Sequence, residues 1–426
     1  MNKKYFTTVN ILLFISLIVP IAQFSYLLDC YKFTGILLYN LITNFSKAFV
    51  ILDFDSLELV ITSILILFVP VSLFYLRKRI SRLIHNVSSS IVFLFLLFYS
   101  MIFAPIISEQ HPNFHKDISV TKLLPPFSSV NYILLNQDKE SDKSDLMLLK
   151  DNTIKKSFNN NIVFIDSLTR NGSNCTVFQK FNSTEYSITD VVSNEHGPVI
   201  YTKHFWFGTD HIGRDVLSML VYGSRISIMV GLGSVFISLI LGIGLGFIAG
   251  NSGGIIDIIL SRLTDMFLAF PSLFLVLLIL ALFGNNLLSV IFVLGFSGWM
   301  SLFKIVKGEV IGINGKDYLL ASKMLGLNNK HILFNDILPV IASPILVNLV
   351  FQFANVILAE STLSFLGLGV GIDHNSWGTM IQSGQEYLSK GWWMILIPGV
   401  TLVFTLFSFN FFADKLNKRL NPLIAK

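Results

Sequence analysis

The sequence predicts an all-α polytopic membrane protein of about eight transmembrane helices, carrying a small extracytoplasmic insertion that contains β-structure. Three observations predict it. The chain is 53% apolar and only 13% charged, with a mean hydropathy of +0.67, more hydrophobic than a soluble globular protein. The apolar residues fall in uncharged runs near the ~20 residues that cross a hydrocarbon core. Asn, Ser and Asp collect instead in one polar stretch, 109–203.

The runs cover 5–28, 59–76, 83–108, 226–256, 337–359 and 391–413. A further stretch, 266–303, is too long for one span, and the turn-forming Gly284-Asn285-Asn286 divides it in two. Lys3 and Lys4 precede the first run, but Pro20, Gln23 and the lack of a small-residue cleavage site favour a retained helix over a signal peptide. Arg77, Lys78, Arg79 and Arg82 follow the second span. Lys304, Lys307, Lys316, Lys323 and Lys330 follow the sixth, and Lys415, Lys418 and Arg419 the eighth. Because positive loops stay in the cytoplasm, both termini are expected there. The formal charge of +5 is accounted for by this topology and calls for no nucleic-acid partner.

Four sections result: a pair of helices around a loop, Asp29 to Glu58, in 1–84; a third helix, 85–108; the insertion, 109–203; and five spans in 204–426. Within the insertion, Ile162 to Ile165 and Thr176 to Phe178 flank Asn171-Gly172, a dipeptide suited to a tight hairpin. Cys30 and Cys175 both fall on the outer side, where a disulfide is permitted, but their spacing carries no signal. His111 and His115 are four apart, with Pro112 between them breaking the helix that would align them as metal ligands.

Two nucleotide-binding patterns are excluded by context. Gly244-x-Gly246-x-x-Ala249 lies inside an uncharged span rather than between a strand and a helix. Gly242, Gly246 and Gly250, four apart, present one helix face to close packing. Gly312-x-x-Gly315-Lys316 has Val310 at the first glycine position and Asp317 where a phosphate-binding loop needs Ser or Thr, so no ATP site is expected in this chain. Around 207–225, Thr209 or Asp210 suits a helix cap, and Ile212, Val216, Leu217, Leu220 and Val221 form an apolar stripe. These predict an interfacial amphipathic helix that Arg225 anchors at the head groups.

Between the sixth and seventh spans, Lys316 to Leu327 reads as a short helix ended by Gly326 in a left-handed cap, and a second short helix runs up to Pro339. The result is a rigid elbow whose small face, Ala321 and Ser322, suits docking. This elbow resembles the EAA loop of ATP-binding-cassette importer permeases. Ala321, Gly326, Ile337, Leu338 and Pro339 match that pattern, while Leu320 and Ser322 stand where it has Glu and a second Ala. Gly208, Thr209, Asp210, Gly213, Arg214 and Asp215 resemble the signature of the dipeptide, oligopeptide and nickel branch of that family. Arg262, Asp265, Ala269, Phe270 and Pro271 resemble its next motif, and Glu360 to Gly369 with Gly367, Ser376-Trp377-Gly378 and Asn410 to Asp414 its C-terminal portion.

The resemblance implies a non-catalytic permease subunit of a bacterial inner-membrane peptide importer, with the coupling loop at 314–340. It implies a second homologous permease, two ATPase subunits that carry the ATP, and an extracytoplasmic substrate-binding protein; this chain binds no cofactor. The insertion is expected to help dock a binding protein or partner. Nickel and peptide-antibiotic importers are alternatives within the family. A self-sufficient channel or secondary transporter is the rival from another class, and it calls for ionisable groups along a midplane path. Asp257, Asp265, Glu309 and Glu360 are instead expected at span ends.

Overall fold

The computed structural model describes residues 3–43, 54–83, 89–136, 153, 161–180, 182–194, 197–371 and 374–420. The expected boundary at residue 84 and much of the insertion, 137–152 and 154–160, lie outside them. The chain forms two compact units. One comprises Met1–Ser88, Phe95–Arg225 and Ser383–Gly399, and the other Ser89–Leu94, Ile226–Gln382 and Val400–Lys426. Among the described residues five helices are long and apolar enough to cross a membrane, and two bent pairs bring the number to seven. A shorter apolar helix, Ser90–Ile102, lies where the third of the expected spans falls.

The expected first span is broken. Helix α1 (Lys3–Ala22) meets α2 (Phe24–Thr43) at 77°. Pro20 has no N–H to give the Ser16 carbonyl four residues back, and Tyr99 Oη donates to that carbonyl instead at 3.1 Å. Much of the expected loop 29–58 is helix α2. Tyr26, Cys30, Phe33 and Leu37 recur at helical spacing and are buried with Leu59 of α3 (Phe54–Leu83). Asp29 and Lys32 pair on the exposed side at 3.6 Å. Helix α4 is short, Ser89–Ile102, and supplies Tyr99 to a cluster with Leu27, Ile66, Phe103 and Ile106.

Among its described residues, the insertion forms two three-stranded antiparallel sheets and a two-stranded ribbon that pairs Ser193–Asn194 with Gly197–Pro198. Strand β1 (Ser128–Leu134) lies between β2 (Ile162–Ile165) and β6 (Tyr201–Phe205). Strands β3 (Ser167–Asn171), β4 (Asn174–Gln179) and β5 (Asn182–Ser187) form a meander. The Asn171-Gly172 turn joins β3 to β4, with Asn171 opposite Asn174 and Gly172 at φ +61°. Ile162–Ile165 is not the hairpin's first strand; it pairs with Asn131 to Leu134. Its uninterrupted apolar run is explained by burial on both faces. Val163 and Ile165 join Ile133, Cys175, Val177 and Val191, while Phe164 joins Phe114, Val130 and Phe205. Cys175 and Cys30 thus sit in separate clusters.

The long helix α5 (Val216–Ser252), which belongs to the second unit from Ile226 onward, is followed by α6 (Gly254–Ala269) and α7 (Ser272–Phe283), which are bent by 93°. The break at Phe270-Pro271 was not anticipated. Its cause is local: Phe270, preceding a proline, is extended at ψ 137°. The expected break at 284–286 is present, where Gly284 ends α7 and the Asn286 side chain caps α8 (Leu287–Asn314) by accepting from the Ser289 amide. A short helix α9 (Asp317–Met324), α10 (Leu338–Phe365), α11 (Trp377–Gly384) and α12 (Trp393–Leu420) complete the chain.

Candidate functional site: the elbow, the helix seam and the motif turns

The 207–225 stretch is not a continuous amphipathic helix, because its polar residues fold into a hydrogen-bonded turn and α5 begins only at Val216. Asp210 Oδ1 accepts from the Ile212 and Arg214 amides at 3.0 and 2.8 Å, and Oδ2 accepts from Arg214 Nε at 2.7 Å. Asp215, rather than Thr209 or Asp210, caps the helix by accepting from the Ser218 amide. Thr209 Oγ1 accepts from the Leu124 amide, and the Trp393 indole donates to the Thr209 carbonyl at 3.0 Å. Gly208 and Gly213 have φ of +75° and +87°, and a Cβ there would meet the Leu124 carbonyl or Thr121 Oγ1 inside van der Waals contact. Arg225 is not a free head-group anchor: it pairs with Glu58 and donates to the Met101 carbonyl.

Gly242, Gly246 and Gly250 bring α5 onto α8. Ideal Cβ atoms on them would lie 2.7, 2.8 and 2.8 Å from Leu302, Val306 and Val310, residues with the same four-residue spacing. Asn314 Nδ2 continues the seam by donating to the Gly250 carbonyl at 2.7 Å. Asp265 pairs with Lys304 at 3.0 Å and Asp257 with Lys307 at 2.5 Å, while Pro271 stands at the cap of α7.

Glu360 is fully buried, and its carboxylate collects hydroxyls. Ser364 Oγ donates to it at 2.7 Å, Ser227 Oγ at 3.2 Å and Ser361 Oγ at 3.4 Å. Ser376 Oγ donates onward to Ser364 Oγ at 3.3 Å, next to the buried Trp377 at the start of α11. Gly367 stops α10 at φ +78°, with the Leu368 amide bonded back to the Leu363 carbonyl. Glu360→Gln keeps an acceptor for these hydroxyls and is expected to leave thermal stability near normal. Glu360→Leu strands them, at a cost of about 1–3 kcal/mol, and should lower Tm in detergent by several degrees. Equal melting of the two variants would rule out this role.

The elbow has an anchored side and an open side. On the anchored side, Leu319, Ile332 and Ile337 are buried with Val310, Ile313, Ile341 and Ile345. Gly326 sits at φ +71°, with the Leu327 amide bonded back to the Ser322 carbonyl at 3.3 Å in a Schellman turn. Asn328 Oδ1 then accepts from the His331 amide at 2.7 Å. The second helix does not stop at Pro339. Asn329–His331 leads into a π-helical turn, Ile332–Ile337, which runs straight into α10 at Leu338. The wide turn gives room to Pro339, which lacks an N–H. Ser322 Oγ donates to the Tyr318 carbonyl at 3.2 Å, and Ala321 is exposed. On the open side, Leu320 and Tyr318 are exposed and Met324 and Leu325 are 87% and 78% accessible, an apolar patch of the kind that marks an interaction surface.

Residues 242–426 match the family described as "Binding-protein-dependent transport system inner membrane component". The chain is 35% identical over 246 residues to the oligopeptide transport system permease protein OppC of Bacillus subtilis (strain 168), spanning 58% of this chain and 80% of that one. It is 36% identical over 218 residues to the di/tripeptide transport system permease protein DppC of Pseudomonas aeruginosa (strain UCBPP-PA14), spanning 51% and 72%. Among solved structures, the MetNI methionine ABC transporter in an inward-facing conformation aligns with a TM-score of 0.40 at 17% identity, over 48% of this chain and 97% of that one. On the strength of its curated relatives, this chain belongs to the family of ATP-binding-cassette importer permeases of the oligopeptide and dipeptide type.

Proposed function

We propose that this chain forms half of a transmembrane path for short peptides in a bacterial cytoplasmic membrane, with both termini in the cytoplasm. A second homologous permease supplies the other half. Two ATPase subunits bind and hydrolyse the ATP, and an extracytoplasmic binding protein delivers the cargo; this chain catalyses no reaction itself. The observation that carries the reading is the two-sided elbow. Leu319, Ile332 and Ile337 tie it into the helix cluster, while Leu320, Met324 and Leu325 stay exposed for a partner. A push on the exposed side is thereby passed to α8 and α10, which can switch between two discrete packings.

The test is reconstitution in vesicles with the co-expressed ATPases, second permease and binding protein, scored by ATP-dependent uptake of trialanine. Uptake that persists without the ATPases would replace this reading with that of a secondary transporter. Cysteine labelling in the same vesicles checks orientation. Asn182→Cys is expected to react from outside and Asn328→Cys from inside; labelling of both from one side refutes the topology.

A further inference from the structure

Two polar residues, Ser301 of α8 and Asn355 of α10, are exposed in the middle third of their helices, beside the contact between the two. The helices run antiparallel. Val290, Val293 and Leu294 cluster with Val356 and Leu363, while Leu302, Val306 and Val310 cluster with Ile341 and Ile345. Gln352 seats in the contact: its Nε2 donates to Ser238 Oγ at 2.6 Å, and a Cβ on Gly298 would collide with that nitrogen. Ser301 follows Gly298 by three residues, and Asn355 follows Gln352 by three, a step of about 60° round a helix. In an antiparallel pair, equal rotations lead to the same side of the contact. Ser301 and Asn355 therefore share one side, and the half-buried Asn348, four residues before Gln352, turns toward it as well.

An amide or hydroxyl that faces hydrocarbon leaves its donors and acceptors unmet. Polar side chains within a span therefore face a bundle interior or a water-filled path. The Asn355 side chain makes no hydrogen bond among the described residues, so the bundle does not satisfy it. Leu346, half a turn round α10 from Asn355, is equally open but apolar, as a lipid-facing residue should be. The polar side is also uncharged. Helix α10 has no charged residue from Leu338 to Ala359, and Lys304, the charged residue of α8 nearest Ser301 in sequence, is paired with Asp265. Groups that both donate and accept, without charge, suit main-chain amides, which carry an N–H and a C=O whatever the side chain. Phe351 and Leu358, farther round the exposed face of α10, are placed to meet side chains.

We infer that Ser301, Asn348 and Asn355 line an aqueous path near mid-membrane and hydrogen-bond the main chain of a passing peptide. That the ligand is a peptide rests on the import reading above; that this face lines an aqueous path does not.

The test uses the assembled transporter in vesicles, with its ATPases, second permease and binding protein. Cysteines are labelled with a charged, water-soluble thiosulfonate; the native Cys30 and Cys175 are buried. Ser301→Cys and Asn355→Cys are expected to label much faster than the control Leu346→Cys. Asn355→Leu is expected to lower ATP-driven uptake of trialanine, trileucine and trilysine by one common factor, roughly three- to tenfold. Asn355→Gln should restore most of it, and the Tm of Asn355→Leu should equal or exceed that of the parent. Labelling at Ser301 and Asn355 no faster than at Leu346 means that lipid or the second permease covers this face, and overturns the proposal. Unchanged uptake by Asn355→Leu overturns it too. A loss confined to one peptide overturns the main-chain assignment and makes Asn355 a side-chain contact. No ATP-dependent uptake by the parent complex, with fast labelling retained, overturns the import reading and leaves the aqueous face standing.

Discussion

Gly246→Val is expected to dismantle the seam between α5 and α8. The added Cβ would lie 2.8 Å from Val306 Cβ and 3.0 Å from the Phe303 carbonyl, closer than carbon and oxygen atoms pack. Side-chain rotation cannot relieve a contact with backbone, so α8 must retreat. The neighbouring contacts at Gly242 and Gly250, and the Asn314 bond to the Gly250 carbonyl, would open with it. Overpacking of this kind costs about 1–3 kcal/mol at a single site, and here a β-branch adds to it. The predicted outcome is a Tm drop of roughly 5–10 °C in detergent, with loss of monodisperse protein. Gly244→Val, on the same helix but with nothing within 4 Å of its Cβ, is the control and should melt near the parent. Melting of Gly246→Val together with Gly244→Val would show that the close approach carries no energy.

Gly326→Val is expected to act on coupling and to spare the bundle. Nothing lies within 4 Å of an added Cβ there, so the cost is confined to the backbone. A β-branched residue held at φ +71° carries about 1–3 kcal/mol of strain, relieved by straightening the turn between Ser322 and Leu327. Leu319, Ile332 and Ile337 keep the flanking segments anchored. Membrane insertion and Tm should therefore stay near normal while ATPase co-purification or ATP-driven uptake falls several-fold. Leu320→Glu, at an exposed position, should fold normally and be tolerated if the partner groove holds a complementary charge. Full uptake and full ATPase binding by Gly326→Val would remove the elbow from the coupling path.

The sequence by itself determined the membrane class, the polar insertion, the breaks at Gly284 to Asn286 and at Gly326, and the family. Those depend on local quantities: hydropathy summed over a window, and a glycine or asparagine whose own dihedral preference stops a helix. Tertiary structure decided the rest. The carbonyl that Pro20 leaves free is satisfied by Tyr99, 83 residues away along the chain from the Ser16 carbonyl it serves. Helix α2 carries the polar Asp29 and Lys32 and is held by its buried stripe against Leu59. The Thr209 and Asp210 turn interrupts an otherwise good helical stripe because Leu124, Thr121 and Trp393 supply its partners. Glu360, polar and near the end of its span, is fully buried because Ser227, 133 residues earlier, brings it a hydroxyl. Hydropathy and propensity add residue by residue along the chain. Hydrogen-bond satisfaction and close packing are properties of pairs, and only folding determines which distant residues become a pair.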